Sequence, residues 1–190
     1  MQTERKTKYL PPDELLVQFR LPEDSDFVIE RSALRAFSLL SNRGSWILSS
    51  MYISRYGLNV IGWRILAILA TNSPLSAKDI AEMLATDQVT ISRATEQLAN
   101  KNLIRRRVDP KDRRRQLLRL SKRGTDIYNQ ILPLLFATEN AILSPLSTDE
   151  RREFMRMLSI VQDHSDETVR EGTNWEHIIG EYGYREENLR

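Results

Sequence analysis

The sequence predicts a mainly α-helical fold with one small β-hairpin, and three observations point there. Two short segments with helical apolar spacing are separated by Ala85-Thr86-Asp87. Two short strand candidates, Ile104 to Val108 and Arg115 to Leu120, flank the turn signal Asp109-Pro110-Lys111-Asp112. Longer amphipathic segments lie on either side. Helix, turn, helix and basic hairpin in that order, within residues 74–124, are the parts of a winged helix-turn-helix, a module that reads duplex DNA. The first of the flanking helices has a length and an apolar surface that exceed what a small reading domain can cover.

The first helix of the pair starts at Ser76, a good N-cap, with Asp79 at its third position facing the positive end of the helix dipole. Ile80, Met83 and Leu84 give it one apolar edge. Asp87 caps the second helix, expected over Gln88 to about Asn100. There Ile91, Ala94, Thr95 and Leu98 share one face. The opposite face carries Val89, Ser92, Arg93, Glu96, Gln97 and Asn100, with Gln88 and Thr90 in the exposed first turn. Such side chains pair with base edges and phosphates in a major groove. Taken alone, this helix is equally well explained as an ordinary amphipathic surface helix.

The hairpin adds the discriminating feature. Eight basic residues fall between Arg105 and Arg119: Arg105, Arg106, Arg107, Lys111, Arg113, Arg114, Arg115 and Arg119. A disordered basic tail would lack the return strand with Leu117, Leu118 and Leu120, followed at once by a helix capped by Ser121. Arginines at a loop tip beside a reading helix suit phosphates or a minor groove. Asp109 and Asp112 are expected to form the turn and orient the wing guanidiniums, rather than to pair as metal ligands.

At this point the residues resemble a known family. G-W-R-I-L-A-I-L-A at 62–70, L-S-A-K-D-I-A-E-M-L at 75–84, V-T-I-S-R-A-T-E-Q-L at 89–98, K-N-L-I-R-R at 101–106, D-P-K-D-R-R at 109–114 and L-S-K-R-G at 120–124 are similar to transcriptional regulators of the MarR family. The D-P-x-D-R-R wing after an L-I-x-R strand is the most specific of these. The resemblance covers 57–135 and, by helix order, extends over 28–164. Two residues depart from the pattern. Asn102 stands where the family usually has glycine, which bears on the turn after the second helix, although asparagine tolerates a left-handed backbone. Thr86 stands where an apolar residue is usual.

Gln88, Val89, Thr90, Ser92, Arg93 and Gln97 are expected to face the major groove, with Arg93 the first choice for a base or phosphate contact. Lys111, Asp112, Arg113 and Arg114 are expected at the wing tip, Asp112 holding it by charge-assisted bonds. The resemblance implies a minor-groove contact at Arg114 and its neighbour, a homodimer on a palindromic operator, and release from DNA by a small aromatic or phenolic acid. Arg43, Trp46, Tyr52, Arg55 and Trp63 suit an anionic ring bound between the reading lobe and the dimer helices. Packing and surface ion pairs explain the same five residues as well.

Composition bounds the alternatives. The chain has 190 residues and a formal charge of only +2. From Ser76 to Gly124, however, 13 Lys and Arg stand against 6 Asp and Glu, leaving 15 basic and 20 acidic residues elsewhere. A local +7 on a −5 body suits one nucleic-acid face. No cysteine is present, which excludes disulfides and thiol redox sensing and fits a cytoplasmic protein. No apolar run is of membrane-spanning length, and the basic N-terminus lacks a following signal-peptide stretch. Seven scattered glycines and two unpaired histidines, His164 and His177, give no phosphate loop, metal site or catalytic constellation, so no cofactor and no enzyme activity is expected.

The expected organisation is an irregular arm over 1–25, a dimerisation helix over 26–56, the winged helix-turn-helix over 57–121, C-terminal dimerisation helices over 122–164 and an acidic tail over 165–190. Asp26 is the candidate cap for a helix from Phe27 to Tyr56, and Gly57 its C-cap. A further helix is expected from Asn59 to Ala70. Pro133 is expected to kink the helix after Ser121. Ser147 and Glu150 form a capping box for the helix running to about His164. Two rivals keep the fold: a winged-helix protein-interaction module, and a non-specific architectural DNA binder.

Overall fold

The computed structural model of the chain describes Leu21, residues 25–169 and 172–183. The expected N-terminal arm and the end of the tail lie largely outside the described residues. The chain divides into two compact units, Phe37–Asp163 and the two flanking ends, Met1–Ala36 with His164–Arg190.

Seven α-helices and one hairpin are found among the described residues. They are α1 (Ala33–Tyr56), α2 (Val60–Asn72), α3 (Ala77–Met83), α4 (Gln88–Asn100), β1 (Ile104–Val108), β2 (Gln116–Leu120), α5 (Lys122–Leu143), α6 (Thr148–Thr168) and α7 (Trp175–Tyr182). The mainly helical fold with a two-stranded antiparallel hairpin is the expected one.

The caps explain most of the boundaries. Asn59, Ser76, Asp87 and Ser121 each accept a backbone N–H with their side chains at the start of α2, α3, α4 and α5. At α6, Ser147 N–H donates to the Glu150 carboxylate at 2.8 Å and Glu150 N–H donates to Ser147 Oγ at 3.4 Å, the expected capping box. The first long helix differs from expectation. Ile29–Arg31 form a single 3-10 turn and Ser32 is extended, with φ −65° and ψ 142°. The Ser32 hydroxyl then accepts the N–H of Arg35 at 3.3 Å, so the cap nearest the helix sets its start, not Asp26. α5 runs unbroken through Pro133. The acidic tail contains α7, capped by Asn174, whose Oδ1 accepts His177 N–H at 2.8 Å.

The core of the Phe37–Asp163 unit is built around α2. Ile65, Leu66 and Leu69 meet Ile80 of α3, Ile91 and Leu98 of α4, Leu103 and Ile104 at the start of β1, Leu118 of β2 and Ile127 and Ile131 of α5. The hairpin register is Ile104 to Leu120, Arg106 to Leu118 and Val108 to Gln116. Leu75 adds an isolated antiparallel bridge to β2, donating to Leu118 O at 3.2 Å and accepting from Leu118 N at 2.7 Å. On the other side of α2, Tyr52, Trp63 and Tyr128 stack in series, with ring centroids 6.3 and 5.8 Å apart.

Two glycines are required where helices meet. Gly57 ends α1 at φ +60°, and its carbonyl accepts from the Lys101 ammonium beyond the end of α4. A Cβ on Gly124, in the first turn of α5, would lie 2.0 Å from the backbone oxygen of Leu103. Asn102 takes the left-handed conformation, φ +57°, in the turn where the usual glycine is missing.

Candidate nucleic-acid interface

The second helix of the pair is oriented by its own sequence. Ile91, Ala94, Thr95 and Leu98 are buried, as their spacing requires. That leaves Gln88, Val89, Ser92, Arg93 and Gln97 exposed and Thr90 half-buried. Val89 is 59% exposed, an apolar contact in the first turn that burial in the core does not explain. Asp87 Oδ1 accepts Thr90 N–H at 2.8 Å. Those bonds from Thr90 hold the Asp87 carboxyl below its usual range. The helix therefore starts at a fixed point, with its polar face outward.

α3 supports α4 through a full capping box. Ser76 Oγ accepts Asp79 N–H at 3.2 Å and the Asp79 carboxylate accepts Ser76 N–H at 2.8 Å. Partial burial works to raise the Asp79 carboxyl, but hydrogen bonds from Ser76 and Arg115 outweigh it and leave it below the ordinary carboxylate value.

The wing tip is held by its two aspartates, the expected turn formers. Asp109 is buried, and its Oδ1 accepts Lys111 N–H at 2.9 Å. Asp112 Oδ1 accepts Arg114 N–H at 2.9 Å. Both carboxylates thus grip backbone amides and do not orient guanidiniums. The physical reason is proximity: in an Asx turn the amide two residues on is nearer than any flexible side chain. Lys111, Arg113 and Arg114 are exposed and make no ion pair among the described residues. Arg105 lies directly across the ladder from Arg119, a like-charge pair, and Arg107 is also exposed.

Arg115 behaves differently from the other seven cations. Its guanidinium bonds the Asp79 carboxylate, 36 residues earlier in the chain. Sequence spacing carried no signal for this contact.

The five residues suited to an anionic ring are not brought together. Tyr52 is wholly buried and Trp63 is 6% exposed, both in the aromatic stack. Trp46 is 78% exposed, and Arg43 and Arg55 are exposed on α1. Nine residues separate Trp46 from Arg55, which at about 100° per residue puts them on opposite sides of the helix. Tyr52 and Trp63 are packing residues because α2 and α5 cover that side of α1.

An exposed polar helix beside an arginine-tipped hairpin, both fixed to one core, defines a winged helix-turn-helix DNA-binding protein. The chain belongs to the MarR family. The family's sequence profile matches residues 56–115. The HTH-type transcriptional regulator MgrA of Staphylococcus aureus is 30% identical over 122 residues, covering 63% of this chain and 80% of that one. The crystal structure of a MarR-family regulator from Silicibacter pomeroyi superposes with a TM-score of 0.64 at 25% identity, covering 70% of this chain and 90% of that one. The Bordetella bronchiseptica regulator BpsR, whose DNA binding is regulated by 6-hydroxynicotinic acid, shares the fold with a TM-score of 0.63 at 20% identity, covering 73% of this chain and 99% of that one. The protein is accordingly a DNA-binding transcriptional regulator.

Proposed function

We propose that the chain acts as a homodimeric repressor that reads a palindromic duplex operator. Gln88, Val89, Thr90, Ser92, Arg93 and Gln97 enter the major groove, and Arg113 and Arg114 at the wing tip reach the minor groove, with Lys111 beside them and Asp112 holding the turn. The observation that carries this reading is the pairing of an outward polar face on α4 with three exposed wing-tip cations that make no ion pair among the described residues. Dimerisation uses the helices within 26–56 and 122–164. Its support is apolar surface left uncovered in one protomer: Leu40 and Ile47 of α1, Leu132 and Phe136 of α5, and Met157 and Ile160 of α6. A two-fold dimer sets two recognition helices about one turn of DNA apart.

Release by a small aromatic or phenolic acid is supported by the effector of the structurally similar BpsR. On this chain Arg43 and Trp46, three residues apart on an exposed face of α1, are the candidates to meet it; Tyr52 and Trp63 are already committed to packing.

The test is a titration against duplex from the chain's own promoter region and scrambled duplex of equal length at near-physiological salt. A preference of about a thousandfold or more supports sequence reading. Equal, salt-sensitive binding to both would favour an architectural role, and binding to neither an interaction module. Arg114→Ala should weaken binding to both duplexes and lower the salt slope by about one unit, the signature of one lost phosphate contact. Unchanged slope and unchanged affinity would remove Arg114 from the interface.

A further inference from the structure

Two contacts join the wing to the first helix of the reading pair. One is the backbone rung between Leu75 and Leu118. The other is the ion pair between Asp79 and Arg115. A single rung fixes a point and leaves the hairpin free to pivot about it. A second contact three residues before Leu118, at Arg115 just ahead of β2, removes that freedom. Arg115 is also the residue that closes the tip turn: its N–H donates to Asp112 O at 2.9 Å, and its carbonyl accepts Asp109 N–H at 2.9 Å. Asp79 is equally constrained, since its carboxylate also accepts Ser76 N–H within the α3 capping box. The path from wing tip to recognition helix therefore runs Arg115, Asp79, α3, and then α4 through the packing of Ile80 and Ile91 in the core.

We propose that the Asp79–Arg115 pair is a positioning device that fixes the wing tip relative to α4, so that the major-groove and minor-groove contacts are presented in one register. Arg115 is then not a DNA contact, although it stands in a run of arginines that reads as one. Only side chains held in the right mutual geometry add their contacts without a further entropic cost on binding.

This inference rests on DNA reading by α4 and the wing, and the experiment separates the two. The probe is the duplex that the wild-type protein selects from a random-sequence pool, titrated over a range of salt, with a scrambled duplex as control. Asp79→Asn keeps an acceptor for the Ser76 amide and removes the charge that holds Arg115. Deleting an acidic group near a DNA-binding face should strengthen binding if charge alone mattered. Positioning predicts the opposite sign: Asp79→Asn and Arg115→Ala each lose about tenfold on the selected duplex, and the double variant loses no more than either alone. The salt slope of Arg115→Ala stays at the wild-type value, because no phosphate contact is lost. Thermal unfolding of the same samples shows that the variants are folded. Arg115→Ala with a slope lower by about one unit, beside an Asp79→Asn that binds as well as or better than wild type, would overturn the proposal and make Arg115 a phosphate contact. Arg93→Ala and Arg114→Ala, run alongside, report on the reading itself. If neither weakens binding, it is the assignment of the interface that fails.

Discussion

The reading head, α2 to β2, and the helices flanking it within the same unit use their apolar residues in opposite ways. In the head, Ile65, Leu66, Leu69, Ile80, Ile91 and Leu98 are all 2% exposed or less. In α5 and α6, Phe136 is 68% exposed, Ile160 54% and Met157 47%. The first region buries these side chains in its own core and presents mainly polar and charged groups, with Met83, Val89 and Val108 the large apolar exceptions. The second leaves large side chains in water, which is stable only if another surface covers them. A protomer is thus a finished reading device on an unfinished support, and the proposed second copy is what finishes it. The two regions meet at the close approach of Gly124 to Leu103.

The contrast can be broken most severely on the support. Phe136→Glu places a charge on the uncovered face of α5 without touching the head. Sedimentation should show protomers where the wild-type protein sediments as a pair. Affinity for the selected operator should fall about a hundredfold or more, because two linked heads gain by effective concentration. Thermal unfolding of the head should hardly change. A dimer that survives with its affinity intact would place the partner surface elsewhere.

Next in size is the joint. Gly124→Ala drives a methyl into the Leu103 carbonyl, where backbone rather than a flexible side chain must move. Overpacking of this kind costs about 1–3 kcal/mol, and the upper end is expected here. Because Leu103 leads directly from α4 into β1, the cost should appear both in denaturant unfolding and in DNA affinity. A fully stable variant with normal affinity would show that the two regions are not rigidly joined at this point.

These contrasts separate what was legible in the sequence from what was not. The two reading helices were legible because Ser76 and Asp87 cap them locally and Ile91, Ala94, Thr95 and Leu98 repeat at helical spacing. The hairpin was legible because Asp109-Pro110 and the leucines of β2 are local signals. The start of α1 was misread because Ser32 and Asp26 are both competent caps, and only the hydrogen bond to Arg35 chooses between them. Tyr52 and Trp63 stood open between ligand contact and packing, because one-dimensional spacing on α1 and α2 does not say which face α5 will cover. Arg115 could not be told from its neighbours, since its partner Asp79 is distant in sequence and reached only through the fold.

Acid should act on the head through two of its helix-capping carboxyls. Asp79 and Asp87 both titrate below the ordinary value of 3.8 when folded. A depressed carboxyl stabilises the fold while pH stays above the unfolded value, and that stability is lost as pH falls through the folded one, because the unfolded chain takes up protons first. Thermal stability should therefore hold from neutrality to about pH 5 and fall as pH drops below about 4. Asp79→Asn should flatten that acid limb. An identical acid limb in the variant would mean that other carboxyls carry the transition.

The smallest expected effect tests whether the stack behind the head is pure packing. Tyr52 is fully buried, and its hydroxyl has no hydrogen-bond partner among the described residues. Burial pushes the phenol above its ordinary value of 10.0, with Arg64 opposing. An unsatisfied buried hydroxyl forfeits its bonds to water and gains nothing in exchange. Tyr52→Phe keeps the ring against Trp63 and removes the penalty, so it should be neutral or stabilise by about 1 kcal/mol, read as a rise in melting temperature. DNA affinity should be unchanged. A loss of about 1 kcal/mol instead would mean that the hydroxyl is hydrogen-bonded in solution. Tyr52 would then again be a candidate to meet the effector beside Arg43 and Trp46.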